Sequence, residues 1–98
     1  MSEPDVVLNE AQSRFELEDE SVTAFIDYTR SGDTITLVHT EVPEALEGRG
    51  VGTRLVRFAL AYIKDNGLKV VPRCPFVVRY LKRHPEESQA LGLDPANL

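Results

Sequence analysis

Glu47-Gly48-Arg49-Gly50-Val51-Gly52-Thr53-Arg54 is the stretch that decides how the rest of this 98-residue chain is read. Three glycines alternate there at the start of a helical pattern, just beyond a strand-like run. Glycine carries no side-chain bulk, so successive backbone N–H groups can converge on an anion, reinforced by the positive end of the helix. Arg49 and Arg54 add guanidinium donors suited to phosphate. The spacing is not G-x-x-x-x-G-K-[ST], which argues against a P-loop triphosphatase. Nor is it G-x-G-x-x-G after the first strand of a βαβ unit, and the chain is too short for a dinucleotide domain. Taken alone, the segment fits an anion-holding loop and a tight glycine turn with two surface arginines equally well.

Working outward, the residues before the loop read as an antiparallel meander. Val6-Val7-Leu8 is a short apolar run, and Asn9-Glu10-Ala11-Gln12 is a turn. Residues 14–18 alternate with period two, and 21–29 alternate again with Val22, Ala24, Ile26 and Tyr28 on one face. Arg30-Ser31-Gly32-Asp33 is a hairpin turn, followed by the β-branched run 34–40. After Pro43 the period changes. From Gly50 to Asn66, Val51, Leu55, Ala59 and Tyr62 adjoin a second stripe of Val56, Leu60 and Ile63, which predicts an amphipathic helix. Asn66-Gly67 stops it. Leu68-Lys69-Val70-Val71-Pro72 is then a strand that returns beside the earlier one through a right-handed β-α-β crossover. Pro75 opens a second helix ending at His84-Pro85. The tail from Glu86 reads as a weak helical turn and a frayed end. The fold class is mixed α/β, an N-terminal antiparallel meander feeding a β-α-β crossover and a C-terminal helix.

Composition sets the outer bounds. At 11.0 kDa, with 42% hydrophobic and 28% charged residues, the chain is one globular domain, 1–98. A domain of this size buries only roughly 60–65% of its unfolded surface, which leaves no room for multi-part machinery. No apolar run approaches the ~18 residues of a membrane helix, and the acidic start Met1-Ser2-Glu3-Pro4-Asp5 is unlike a signal peptide, so no membrane partner and a cytoplasmic location are expected. One cysteine excludes an internal disulfide, and two distant histidines with no clustered acids make no metal site. The net charge of −5 divides unevenly: residues 1–48 carry 12 acidic and 2 basic side chains, and residues 49–98 carry 4 acidic and 9 basic. The acidic total argues against a nucleic-acid partner. A basic half beside an acidic half suits a phosphorylated ligand on one side and a cationic partner on the other.

Further residues carry a resemblance. Gly50-Val51-Gly52, after a strand ending His39-Thr40-Glu41-Val42-Pro43, resembles motif A of the Gcn5-related N-acetyltransferases, [Q/R]-x-x-G-x-[G/A]. Residues 37–85, about half the chain, resemble the minimal members of that superfamily, whose pattern is L-x-H-T-x-V-P, a glycine loop, P-x-C-P-[FY]-[VI], and a basic residue before His/Asn-Pro. Here these are 37–43, the loop, Pro72-Arg73-Cys74-Pro75-Phe76-Val77 and Arg83-His84-Pro85. The motif's first position departs, with Glu47 standing for Gln or Arg and Arg49 placed to compensate. The resemblance implies the acyl-CoA N-acyltransferase fold and acetyl-CoA, or coenzyme A, as co-substrate. It implies that Val42 meets the pantetheine arm, and that Arg49, Gly50, Val51, Gly52, Thr53 and Arg54 hold the pyrophosphate. Lys82 and Arg83 are candidates to face the adenosine 3′-phosphate, or are solvated charges at a helix C-terminus, where the dipole favours them.

Four residues stand out for chemistry. Cys74, directly before Pro75, falls at the N-cap of the second helix beside Arg73, a setting for a nucleophile that accepts the acetyl group or touches the thioester; the alternative is a packing residue. Glu41 is positioned as a general base for the acceptor amine, or is an exposed strand-end acid. His39 orients the strand or a water, or is structural. Tyr80 is a candidate general acid for the leaving thiolate, or a core tyrosine. His84 reads as a helix-terminus residue. The resulting reading is an acetyl-CoA-dependent N-acetyltransferase acting on an amine within a ternary complex. Glu41, Glu44 and Glu47 would favour a cationic acceptor, either a small molecule or a protein. The alternative is a CoA-binding module with little catalysis, because the chain is too short to enclose an acceptor. A monomer or weak homodimer is expected.

Overall fold

The computed structural model describes residues 5–98; residues 1–4, used above to argue against a leader, lie outside them. The strands β1 (Val6–Asn9), β2 (Arg14–Asp19), β3 (Val22–Ser31), β4 (Thr34–Glu41) and β5 (Lys69–Pro72) form one sheet in sequential order. The first four are antiparallel, and β5 runs parallel to β4. Helix α1 (Val51–Asp65) makes the crossover, followed by α2 (Pro75–Arg83) and α3 (Pro85–Ala90). The meander and crossover expected from periodicity are both present. Among the described residues, no helix is long and apolar enough to cross a membrane.

The alternation of each strand selects one face for the core. Phe15 and Leu17 of β2 pair with Ile26 and Ala24 of β3, and all four are buried. Ile35 and Leu37 of β4, with Val70 of β5, continue that face. The stripes Val51, Leu55, Ala59 and Val56, Leu60, Ile63 of α1 cover it, joined by Val77, Tyr80 and Leu81 of α2. Each fully buried large aliphatic or aromatic side chain contributes about 1.5–3 kcal/mol by leaving water. The opposite face of the sheet, which carries Arg14, Glu16, Phe25 and Asp27, has no buried residue.

Two local devices aim the crossover. Helix α1 ends in a Schellman motif, with Leu68 N–H donating to Ile63 O (2.9 Å) and left-handed Gly67 donating to Lys64 O (3.1 Å). Lys69 N–H then reaches Asp33 O at 2.7 Å, which fixes the entry of β5.

The C-terminal tail differs from the expected frayed end. Residues 85–90 form α3, and Leu91, Leu93 and Leu98 pack against the core. Ser88 is fully buried, its hydroxyl donating to Leu81 O at 2.8 Å. Three leucines with no helical period anchor the tail by burial rather than by local propensity.

Candidate active site

The site begins where two strands part. The parallel ladder between β4 and β5 ends at Leu37↔Pro72, while β4 stays paired to β3 as far as Glu41↔Phe25. Pro72 and Pro75 bracket the departure of the chain, and the N–H groups of Arg73 and Cys74 both donate to Leu37 O at 3.0 Å. Beyond Leu37 the β5-facing edge of β4 therefore opens as a V, with its polar backbone available for an extended ligand to pair with.

A β-bulge sets which side chains enter that V. Asp27 faces His39 and Tyr28 faces Leu37, so Val38 is an extra residue on β4. Strict alternation after Ile35 and Leu37 would carry His39 and Glu41 to the core face. The extra residue reverses the phase. Thr40 and Val42 turn to the helix side and line the crevice, whereas His39 and Glu41 are exposed on the opposite face. There, Glu41 is the cross-strand neighbour of Phe25, and the His39 ring meets Phe25 edge-on at 6.4 Å. The predicted acid–base residues and the predicted anion loop thus lie on two sides of one splayed strand.

The glycine loop closes the helix side. Gly50 is the N-cap of α1 with φ 71°, a left-handed conformation that favours glycine, and it brings no side chain to cap the helix. The first N–H groups of α1 are therefore left to whatever the loop holds. A crevice of about 410 Å³ is lined by Thr40, Val42, Leu46 and Glu47, by the loop glycines, and by Val51, Thr53 and Phe76. A Cβ on Gly52 would stand 2.6 Å from Phe76 Cζ, so only glycine lets that ring sit on the first turn of α1.

Five of the seven residues assigned to the co-substrate, namely Val42, Gly50, Val51, Gly52 and Thr53, share this crevice. Arg49 and Arg54 do not line it. The Arg49 guanidinium is paired with Asp19 at 3.0 Å, tying the loop to the β2–β3 turn, and Arg54 lies beside Val6 and Val7 at a separate surface hollow.

Cys74 is the N-cap of α2, as expected, and 2% exposed. Its Sγ shares a 3.1 Å hydrogen bond with Thr40 Oγ1, joining the two arms at the apex of the V. Tyr80 is 6% exposed and lies elsewhere on α2. Its hydroxyl donates to Glu87 Oε2 (2.7 Å) and accepts from Arg57 Nε (3.3 Å). Burial, followed by the bond to Glu87, raises the Tyr80 phenol above its ordinary pKa of 10.0. The ring stacks on His84 at 4.0 Å, and His84 Nδ1 donates to Tyr80 O at 2.7 Å. Sequence reasoning did not single out Thr40 or Phe76 as lining residues. Thr40 is displaced into the site by the bulge, and Phe76 is drawn there by the missing side chain of Gly52.

A splayed parallel strand pair with a glycine-capped helix at its mouth defines an acyl-CoA N-acyltransferase domain. The chain belongs to the GCN5-related N-acetyltransferases, whose family model matches residues 14–91. Members of that family generally take acetyl-CoA as co-substrate. The chain is similar to the protein NATD1 of Xenopus tropicalis, 36% identical over 62 residues, a match covering 63% of this chain and 57% of that one. For human NATD1 the figures are 37% over 61 residues, with coverage of 62% and 54%. The match thus spans little more than half the length of these relatives. A GCN5-like protein of Staphylococcus aureus, solved by NMR, superposes with a TM-score of 0.70 at 26% identity, covering 93% of this chain and 89% of that one. The open edge of β4, the start of α1 with no side-chain cap and the open space at Gly50 fit the arm and pyrophosphate of coenzyme A.

Proposed function

We propose that this chain transfers an acetyl group from acetyl-CoA to a primary amine, and that the acceptor is cationic. The observation that carries the reading is the V at Leu37↔Pro72, which opens directly onto the glycine-capped start of α1. The β4 backbone around Val42 holds the pantetheine arm, and the N–H groups of Val51, Gly52 and Thr53 hold the pyrophosphate. The acceptor approaches from the opposite face of the sheet, where Glu41 and His39 are exposed. Glu41 takes the proton of the ammonium, and the freed amine attacks the thioester carbon. The C–N bond forms, the C–S bond breaks, and the sulfur leaves as a thiolate that is then protonated. Positioning of both reactants on one strand supplies most of the rate. The exposed carboxylate of Glu41 favours a positively charged acceptor on that face.

Cys74 motivates a second route. Its sulfur lies at the apex of the V against Thr40, where it would accept the acetyl group before the amine does. Intact-mass spectrometry after incubation with acetyl-CoA, with and without spermidine or a lysine-containing peptide, tests both routes. Direct transfer predicts acetylated amine with no protein adduct. A hydroxylamine-labile adduct that is lost in Cys74→Ala supports the covalent route. The absence of both product and coenzyme-induced thermal stabilisation contradicts the reading altogether.

A further inference from the structure

Of residues 47–53, all but Arg49 line the glycine-loop crevice. The Arg49 side chain leaves the loop in another direction, and its Nη2 stands 3.0 Å from Asp19 Oδ2 at the β2–β3 turn. Its two neighbours are unpacked. Gly48 (φ 78°) and Gly50 (φ 71°) are both left-handed, and a Cβ built on either would meet no atom within 4 Å. Upstream, the chain is fixed by buried Leu46 and by Glu47 N–H donating to Glu44 O at 3.2 Å. Downstream, Arg54 N–H donates to Gly50 O at 3.0 Å and begins α1. The segment between these fixed points, Gly48-Arg49-Gly50, is rich in the residue type with the most backbone freedom to lose.

The other end of the ion pair is rigid. Asp19 is the last residue of β2 and pairs with Val22 of β3, so it sits within the register of the sheet. In the turn beyond it, Glu20 (φ 50°) and Ser21 (φ 72°) are both left-handed, the two-residue geometry that continues the twist of the strands and is usually filled by Asn-Gly. Glutamate and serine hold that conformation at a cost in energy, and the strand pairing on both sides maintains it. The Asp19 side chain is 20% exposed against 53% for Arg49, so the carboxylate is the anchored partner. An ion pair from a fixed carboxylate to the middle of a two-glycine loop restricts the loop before any ligand arrives. Binding then has less disorder to remove.

We infer that Asp19 is a positioning residue for the co-substrate: through Arg49 it holds the glycine loop in the shape that presents the N–H groups at the start of α1, and Arg49 serves that carboxylate rather than the phosphates. The inference rests on the coenzyme A reading of the crevice.

The test is isothermal titration of the full chain with coenzyme A for wild type, Asp19→Asn, Asp19→Glu, Arg49→Gln and the Asp19→Asn/Arg49→Gln pair, each checked by melting. Arg49 is exposed, so Arg49→Gln retains the fold whatever Asp19→Asn does to the turn. Asp19→Asn and Arg49→Gln each weaken coenzyme A binding about two- to fivefold, the range of an exposed ion pair. The two substitutions together weaken it no further than either alone, and Asp19→Glu restores most of the wild-type affinity. Backbone amide relaxation of ligand-free Asp19→Asn shows lower order parameters at residues 48–50 with those of the sheet unchanged, a local loosening that a merely structural role does not produce. Unchanged binding in either single variant overturns the inference. So does tighter binding by Asp19→Asn, which would mean that Arg49 is released to the phosphates. Additive losses overturn it as well, because the arginine would then act independently of Asp19. These outcomes leave the crevice reading intact, whereas wild type that fails to bind coenzyme A overturns both.

Discussion

Replacing Gly52 by alanine probes the contact that joins the helix start to the site wall. The added Cβ would lie 2.6 Å from Phe76 Cζ and 3.2 Å from Cε1 and Cε2. Carbon atoms rest at about 3.5–4.0 Å, so the ring must retreat by about 1 Å. Overpacking of this kind costs about 1–3 kcal/mol. Alanine returns up to about 1 kcal/mol of helix propensity, less at a first-turn position. The net expectation is a loss of about 0–2 kcal/mol, with each kcal/mol lowering the melting temperature by about 4–8 °C in a domain this size. Because Phe76 lines the crevice, its displacement should also weaken coenzyme A binding by roughly tenfold or more, about 1.4 kcal/mol. Differential scanning fluorimetry and titration calorimetry measure the two effects. A double-mutant cycle with Phe76→Leu isolates the contact, since trimming the ring should recover stability in the alanine background. A Gly52→Ala protein that melts higher than wild type and binds coenzyme A equally well would refute the close-contact argument.

Other changes have equally definite outcomes. Tyr80 has a raised pKa in the folded state, so its contribution to stability is complete below the unfolded value of 10.0 and is lost as pH rises through the folded value. Denaturant unfolding between pH 9 and 11 should therefore show wild type losing stability more steeply than Tyr80→Phe; parallel curves would mean that the phenol is not held neutral by the fold. Ser88→Ala removes the buried bond to Leu81 O and should cost about 1 kcal/mol in urea unfolding, whereas no change would mean the tail is not docked through α3. Glu41→Gln should lower amine acetylation by about a hundredfold or more while leaving coenzyme A affinity unchanged; full activity would remove Glu41 from the role of base.

The pieces legible in the sequence were those governed by local rules. The two stripes of α1, its Asn66-Gly67 stop and the Gly32 hairpin follow from periodicity and turn chemistry, and the placement of β5 follows from crossover handedness. The bulge at Val38 was not legible, because Val38-His39-Thr40-Glu41 contains no glycine or proline to mark it, and its effect is to exchange the faces of four side chains. The ion pair of Arg49, which the sequence reading gave to the pyrophosphate, was not legible either. Its partner Asp19 lies 30 positions earlier, and only the sheet order brings the β2–β3 turn to the loop. The docking of the tail and the Arg57–Tyr80–Glu87 chain arise from packing among α1, α2 and α3, which no single-segment pattern encodes.

The central claim, that the V between β4 and β5 receives acetyl-CoA with its phosphates at the start of α1, is tested most directly by amide NMR titration of the isotope-labelled chain. Saturable shifts concentrated at Thr40, Val42, Gly50–Thr53 and Phe76, with β1 and the β3–β4 turn unmoved, are the predicted result. Saturable shifts centred elsewhere, or none at millimolar acetyl-CoA, would contradict it.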